Sequence, residues 1–176
     1  MKKAVFITGF NNWGKTTIIN HVNLFNRSWY AWGQLQSIPG VNAHFVVENH
    51  SNDDYLGRLW LDRLKQRIWH VNNRPRNSAI DWDLFTALCP SIELTNNFID
   101  LLNDPFFDDY EKHIFLIKYK WEHHAELIIK NILPLLPQIP NTFHYVIDHD
   151  ALIIDPDDRT IAKTVEIKRI LQTIFP

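Results

Sequence analysis

Five short apolar runs punctuate the chain: Ala4–Thr8, Ala43–Val47, Leu84–Cys89, His113–Tyr119 and Phe143–Ile147. Each is followed by a segment compatible with a helix: Lys15–Phe25, Asp54–Trp69, Ile92–Leu102, Trp121–Leu133 and Arg159–Ile174. In the last of these, Ile161, Val165, Ile167 and Leu171 fall near helical spacing. Strand and helix in regular alternation predict an α/β domain: a parallel five-stranded sheet with helices on both faces. Pro134, Pro137 and Pro140 end the fourth helix, because proline removes a helical donor and clashes with the preceding turn. A length of 176 residues suits a single domain with one substantial core.

Two connections exceed what an α/β crossover needs. Arg27–Asn42 carries Trp29, Tyr30, Trp32, Gly33, Pro39 and Gly40, and His70–Trp82 carries Arg74, Pro75 and Arg76. Long loops in a compact domain are commonly binding loops or lids, so these two are expected to flank a binding pocket. In a parallel sheet the working crevice lies at the carboxyl ends of the strands, which directs attention to the residues just after each apolar run.

After the first run stands Gly9-Phe10-Asn11-Asn12-Trp13-Gly14-Lys15-Thr16, which fits G-x-x-x-x-G-K-[ST] at every fixed position. The spacing has a physical reason. Successive backbone N–H groups of the loop can surround an anion while the helix that follows points its positive end at the same oxygens. On these residues the chain resembles the P-loop NTPase superfamily. The resemblance implies that Gly9 and Gly14 permit the turn, Lys15 reaches the β/γ-phosphates, Thr16 gives its hydroxyl to Mg²⁺, and Thr17 extends the first helical turn. It further implies a nucleoside triphosphate such as ATP, with Mg²⁺, as the bound species.

Outside this octet the chemistry is sparser. Glu48 opens a polar burst, Glu48 to Asp54, at the end of the second run, and either Glu48 or Asp53 is a candidate for positioning or deprotonating an acceptor hydroxyl. Ser51, Asn52 or Asp53 can instead cap the next helix. Arg58 is the first candidate for balancing charge on a transferred phosphoryl group, with Arg74 and Arg76 behind it, although Arg58 can equally pair with Asp62 on a solvated face. The third run ends Ala87-Leu88-Cys89-Pro90 without the acid expected there, whereas the last run ends in Asp148, which becomes a candidate metal residue or a turn acceptor. Lys118, Lys120, His123 and His124 follow the fourth run as a short basic-aromatic cluster. The single Cys89, flanked by apolar residues, reads as packing rather than catalysis.

Composition narrows the classes. A net charge of -2 offers no basic surplus for a nucleic-acid backbone, one cysteine precludes an internal disulfide, and no apolar run is long enough to span a membrane. Met1-Lys2-Lys3 leads into a strand rather than a signal sequence, and cytoplasm is the expected location. The 7 tryptophans are expected mainly in the core. The leading expectation is a phosphotransferase that moves the γ-phosphoryl of ATP to a small-molecule acceptor. A nucleoside triphosphate hydrolase and a nucleotide-dependent regulatory protein with little turnover are the alternatives. No D-x-x-G or N-K-x-D motif points to a guanine-nucleotide switch.

Overall fold

A computed structural model describes residues 1–23, 30–118, 128–148 and 152–176. Its order begins β1 (Lys2–Thr8), α1 (Lys15–Val22), β2 (Gln36–Ser37), β3 (His44–Glu48), α2 (Gly57–Asn72) and β4 (Asp83–Leu88). A small hairpin, β5 (Ile92–Glu93) and β6 (Asn96–Asn97), leads to α3 (Phe98–Leu102) and β7 (Tyr110–Ile117). The chain closes with β8 (Thr142–Ile147) and α4 (Pro156–Ile174). The main sheet runs β2-β3-β4-β1-β7-β8. β3, β4, β1, β7 and β8 are mutually parallel, with Ala4 opposite Leu84 on one side and Lys112 on the other.

All five expected strands are present, yet the sheet has six strands and is mixed. The addition is β2, which pairs antiparallel with β3, Gln36 opposite Phe45. A tight turn makes the reversal: Val41 N donates to Ile38 O at 3.0 Å, and Gly40 takes φ 80° after Pro39. The expected helix over Ile92–Leu102 is also corrected. Its first half is the β5/β6 hairpin, and the helix starts at Phe98, where the Asn97 side chain caps it by accepting from Ile99 N at 2.9 Å. The expected fourth helix lies largely outside the described residues. Its last part is a wide turn over Ile128–Ile132, which passes into a tight 3-10 segment over Leu133–Gln138 that accommodates Pro134 and Pro137.

Alternation along the strands makes a core on each face. Ala4 and Phe6 of β1 pack with Trp60, Leu61 and Leu64 of α2 and Phe98 and Leu102 of α3. Val5 and Ile7 face Ile18, Ile19 and Val22 of α1 with Ile167 and Leu171 of α4. Helices therefore cover both faces of an α/β sheet. Among the described residues no helix is long and apolar enough to cross a membrane. Trp13, Trp60 and Trp82 are buried, as core residues should be, while Trp69 is 60% exposed.

Trp60 links the core to the loop after β3, its indole Nε1 donating to His50 O at 3.2 Å. Trp60→Phe keeps most of the packing but removes this donor. It should cost about 2 kcal/mol in urea unfolding. It should also raise amide exchange in residues 50–54 more than in β1, and equal increases in both segments would rule out the proposed support of the loop.

Candidate functional site

β1 lies centrally, and the chain visits the strands on one side of it before crossing to the other. Where strand order reverses, loops at the carboxyl ends part and leave a crevice. The loop from Gly9 to Gly14 occupies that position. Gly9 N donates to Leu88 O at 3.1 Å, tying the loop to the end of β4, and Trp13 N closes a turn on Phe10 O at 3.2 Å. Asn12 at φ 61° and Gly14 at φ 78° take left-handed conformations, the second as the N-cap of α1. Gly14 has no side chain to occupy the free N–H groups of the first helical turn, so they point outward.

These N–H groups face a cavity of about 330 Å³ lined by Asn11, Asn12, Trp13, Gly14, Lys15, Thr16 and Thr17 on one wall and Ser51, Asp53 and Asp54 on the other. Lys15 is largely buried. Its Nζ donates to Phe10 O at 3.1 Å and lies 3.5 Å from Asp53 Oδ2. Thr16 Oγ1 donates to Asn49 O at 2.8 Å, drawing the loop after β3 against α1. In that loop Asp54 Oδ2 accepts from Ser51 N at 2.8 Å, while Asp53 accepts from the Ser51 hydroxyl. The polar burst thus folds into its own turn, and α2 begins later, at Gly57, without a side-chain cap.

Two further cavities share these walls. One of about 730 Å³ is lined by Phe10, Asn11, Asn52, Asp53 and Leu56, by residues 89–93, and by Asn96, Asn131 and Ile132. Asn52 braces it, accepting from Cys89 N at 2.7 Å and donating to Cys89 O at 3.0 Å and Asn96 Oδ1 at 2.7 Å. Burial pushes the Cys89 thiol up to about 12, so at neutral pH it is a protonated wall residue. The other cavity, about 210 Å³, lies between Asn12, Trp13, Gly14 and Ile18 and the start of α4, with Pro156, Arg159, Thr160 and Lys163. Burial lowers the Lys163 ammonium to about 8, with Asp148 opposing, and its Nζ donates to Lys118 O at 2.6 Å.

The expected site residues separate into two sets. Gly9, Phe10, Asn11, Asn12, Trp13, Gly14, Lys15, Thr16 and Thr17 form one continuous loop and helix start, and Asp53 joins them. Glu48, Arg58 and Asp148 do not. Glu48 is fully buried on the α2 side, bound by Arg67, by Arg63 Nε at 2.6 Å and by His50 Nδ1 at 2.8 Å, and it lines none of the three cavities. Arg58 is 73% exposed and pairs with Asp104 at 3.1 Å. Asp148 pairs with Lys118 at 2.6 Å beyond the end of β8. Among the described residues no group of three or more His, Cys, Asp or Glu is arranged to hold a metal ion unaided.

The long connections are also placed elsewhere. Residues 73–82 lead into the amino end of β4, and residues 30–43 into that of β3; they meet where Arg74 donates to Trp32 O at 2.8 Å and Asn77 to Gly33 O at 3.2 Å. Neither lines the cavities described above. Lys120, His123, His124 and residues 27–29 lie outside the described residues. Sequence reasoning missed the bracing by Asn52 and the two cations of α4. Asn52 stands directly beside Asp53, and Arg159 and Lys163 sit four apart near a helix start, which is the signal that could have found them. No known protein family, curated protein or solved structure matches this chain.

The Glu48 cluster generates a pH dependence. Burial alone would raise this carboxyl, but the His50 hydrogen bond and the Arg67 and Arg63 charges outweigh it and bring it from 4.5 down to about 2. A depressed carboxyl contributes stability that is present above its unfolded value and lost as pH falls through the folded one. The difference corresponds to about 3 kcal/mol, lost between roughly pH 4.5 and 2. Glu48→Gln should lose about 3–5 kcal/mol at pH 7 and show a flatter acid limb in chemical unfolding. An acid limb unchanged by the substitution would show that Glu48 does not carry this titration.

Proposed function

We propose that this chain is an ATP-dependent phosphotransferase of the P-loop NTPase superfamily. One observation carries the reading: Asp53, 3.5 Å from the Lys15 ammonium, stands on the wall shared by the loop cavity and the larger 730 Å³ cavity. A phosphoryl group in the loop cavity and a hydroxyl in the larger one would meet at this carboxylate. The β- and γ-phosphates lie on the N–H groups of the glycine loop and on Lys15, and the nucleoside extends into the 210 Å³ cavity beside Pro156 and Arg159. A hydrolase or a nucleotide switch has no need of the larger chamber, and its presence favours transfer to a bound acceptor.

Thr16 suits a magnesium ion, since it lines the loop cavity with a hydroxyl oxygen and this cation takes one or two protein oxygens beside phosphate and water. Bound there, it would supply charge neutralisation at the phosphate oxygens. The protein's own residues do the rest. Lys15 fixes the phosphoryl oxygens, and the loop N–H groups stabilise charge as it develops. Asp53 accepts the acceptor's hydroxyl proton as the new O–P bond forms and the bond from Pγ to the bridging oxygen breaks, leaving ADP and a phosphoester.

Lys15→Ala should remain folded and bind ATP with Mg²⁺ about 10- to 100-fold more weakly in titration calorimetry, as loss of a charge-assisted contact requires. Unchanged affinity in the folded variant would remove the central claim. Asp53→Asn should retain nucleotide affinity within about threefold while turnover falls by about 10²- to 10⁴-fold. Turnover equal to wild type would transfer the acid–base role away from Asp53.

A further inference from the structure

We propose that the acceptor held in the 730 Å³ cavity is a hydroxyl compound without negative charge, neutral or cationic and partly apolar, rather than a phosphorylated one. The inference rests on the phosphotransfer reading above and adds the chemistry of the second substrate. The volume falls within the range of cavities that take drug-sized or nucleoside-sized molecules.

The charged side chains that line this cavity among the described residues have one sign. Among the described residues Asp53 and Glu93 are its ionisable oxygen acids, and no described Lys, Arg or His lines it. The Asn52 amide gives no cradle for an anion either, because it spends both ends of its side chain on Cys89 and Asn96. Lys15 pairs with Asp53 and lines the loop cavity, where the triphosphate would use it. A second anion brought to Asp53 and Glu93 would meet like charges with little compensation.

The mouth of the cavity is apolar. Leu56 and Ile92 are 69% and 65% exposed. They stand beside Phe10, Pro90 and Ile132 in the same lining. Aliphatic side chains left in water at a cavity rim mark a surface that a ligand covers. The 210 Å³ cavity on the other side of the glycine loop differs, for it carries Arg159 and Lys163. Cations therefore sit on the donor side, and acids with aliphatic groups on the acceptor side.

The test uses matched pairs, adenosine with AMP and thymidine with its 5′-monophosphate, together with choline and 2-amino-1-phenylethanol. Each is added to the full chain with and without Mg²⁺ and a non-hydrolysable ATP analogue. Unfolding temperature reads binding, and label from γ-³²P-ATP reads transfer. At least one uncharged or cationic compound should stabilise the protein and take label, and the monophosphate of a pair should bind about tenfold or more weakly than its nucleoside. Glu93→Lys, on the exposed hairpin, should narrow or reverse that gap.

A preferred monophosphate, no stabilisation by any neutral or cationic compound, or a preference untouched by Glu93→Lys would overturn the inference. The two readings fail differently. If the ATP analogue does not bind while neutral compounds still stabilise the protein, the phosphotransfer reading falls alone. If the analogue binds and a monophosphate is the better acceptor, only the present inference falls.

Discussion

A buried carboxylate fixes the parts of this structure on which the site depends. Glu48 ends β3 with no exposure to water and is met by Arg63 and Arg67 from α2 and by the ring and backbone N–H of His50. Arg67 continues the chain of contacts, donating to Tyr30 O at 3.0 Å and lying 4.7 Å from the ring of Trp32. Charges removed from water are costly unless each finds a partner, so strand, helix and the 30–32 segment are restrained together. One consequence reaches the glycine loop. The bond from His50 N to Glu48, at 3.1 Å, turns the backbone at the strand end and directs residues 51–54 toward Lys15.

The sheet supplies the second constraint. Parallel strands deliver their carboxyl ends to one edge, so the loops after β1, β3 and β4 converge although they are about forty residues apart in sequence. Short bonds then join them: Gly9 N to Leu88 O between the first and third of these loops, Thr16 Oγ1 to Asn49 O between the first and second, and Asn52 to Cys89 between the second and third. Each loop is bonded to both of the others. The positions of Asp53 and Lys15 follow from this triangle as well as from the 3.5 Å ion pair, whose partners are mostly shielded from water.

How much of this was legible depended on how local the signal was. The glycine loop was readable because its chemistry is written in eight consecutive residues, and the five parallel strands because apolar runs keep their character whatever surrounds them. Glu48 was ambiguous because a strand-end acid looks the same whether it faces a cavity or a helix. Its parity held the answer. Val46 packs on the α2 side and Phe45 and Val47 on the other, so Glu48, two residues after Val46, also points toward α2, where Arg63 and Arg67 stand four apart. Arg58 begins the same helix but meets Asp104, a partner no local pattern reveals. The Ile92–Leu102 segment misled for a related reason: Asn96 and Asn97 favour a turn and a cap, and these outweighed helical spacing in the apolar residues around them.

The arrangement also imposes a direction on any reaction at this edge. Moving across the glycine loop, the side chains change from Arg159 and Lys163, through Lys15 against Asp53, to Glu93 among aliphatic residues. A polyanion is favoured toward the cationic end of that series and disfavoured at the other, so in the proposed reading the triphosphate would stay on the loop and Lys15 side and leave the Glu93 side to the acceptor. In the proposed reaction the carboxylate that discourages a second anion would also receive the hydroxyl proton. Selectivity for the acceptor and activation of its oxygen would then arise from one side chain, held in place by a loop whose course is set at the buried Glu48.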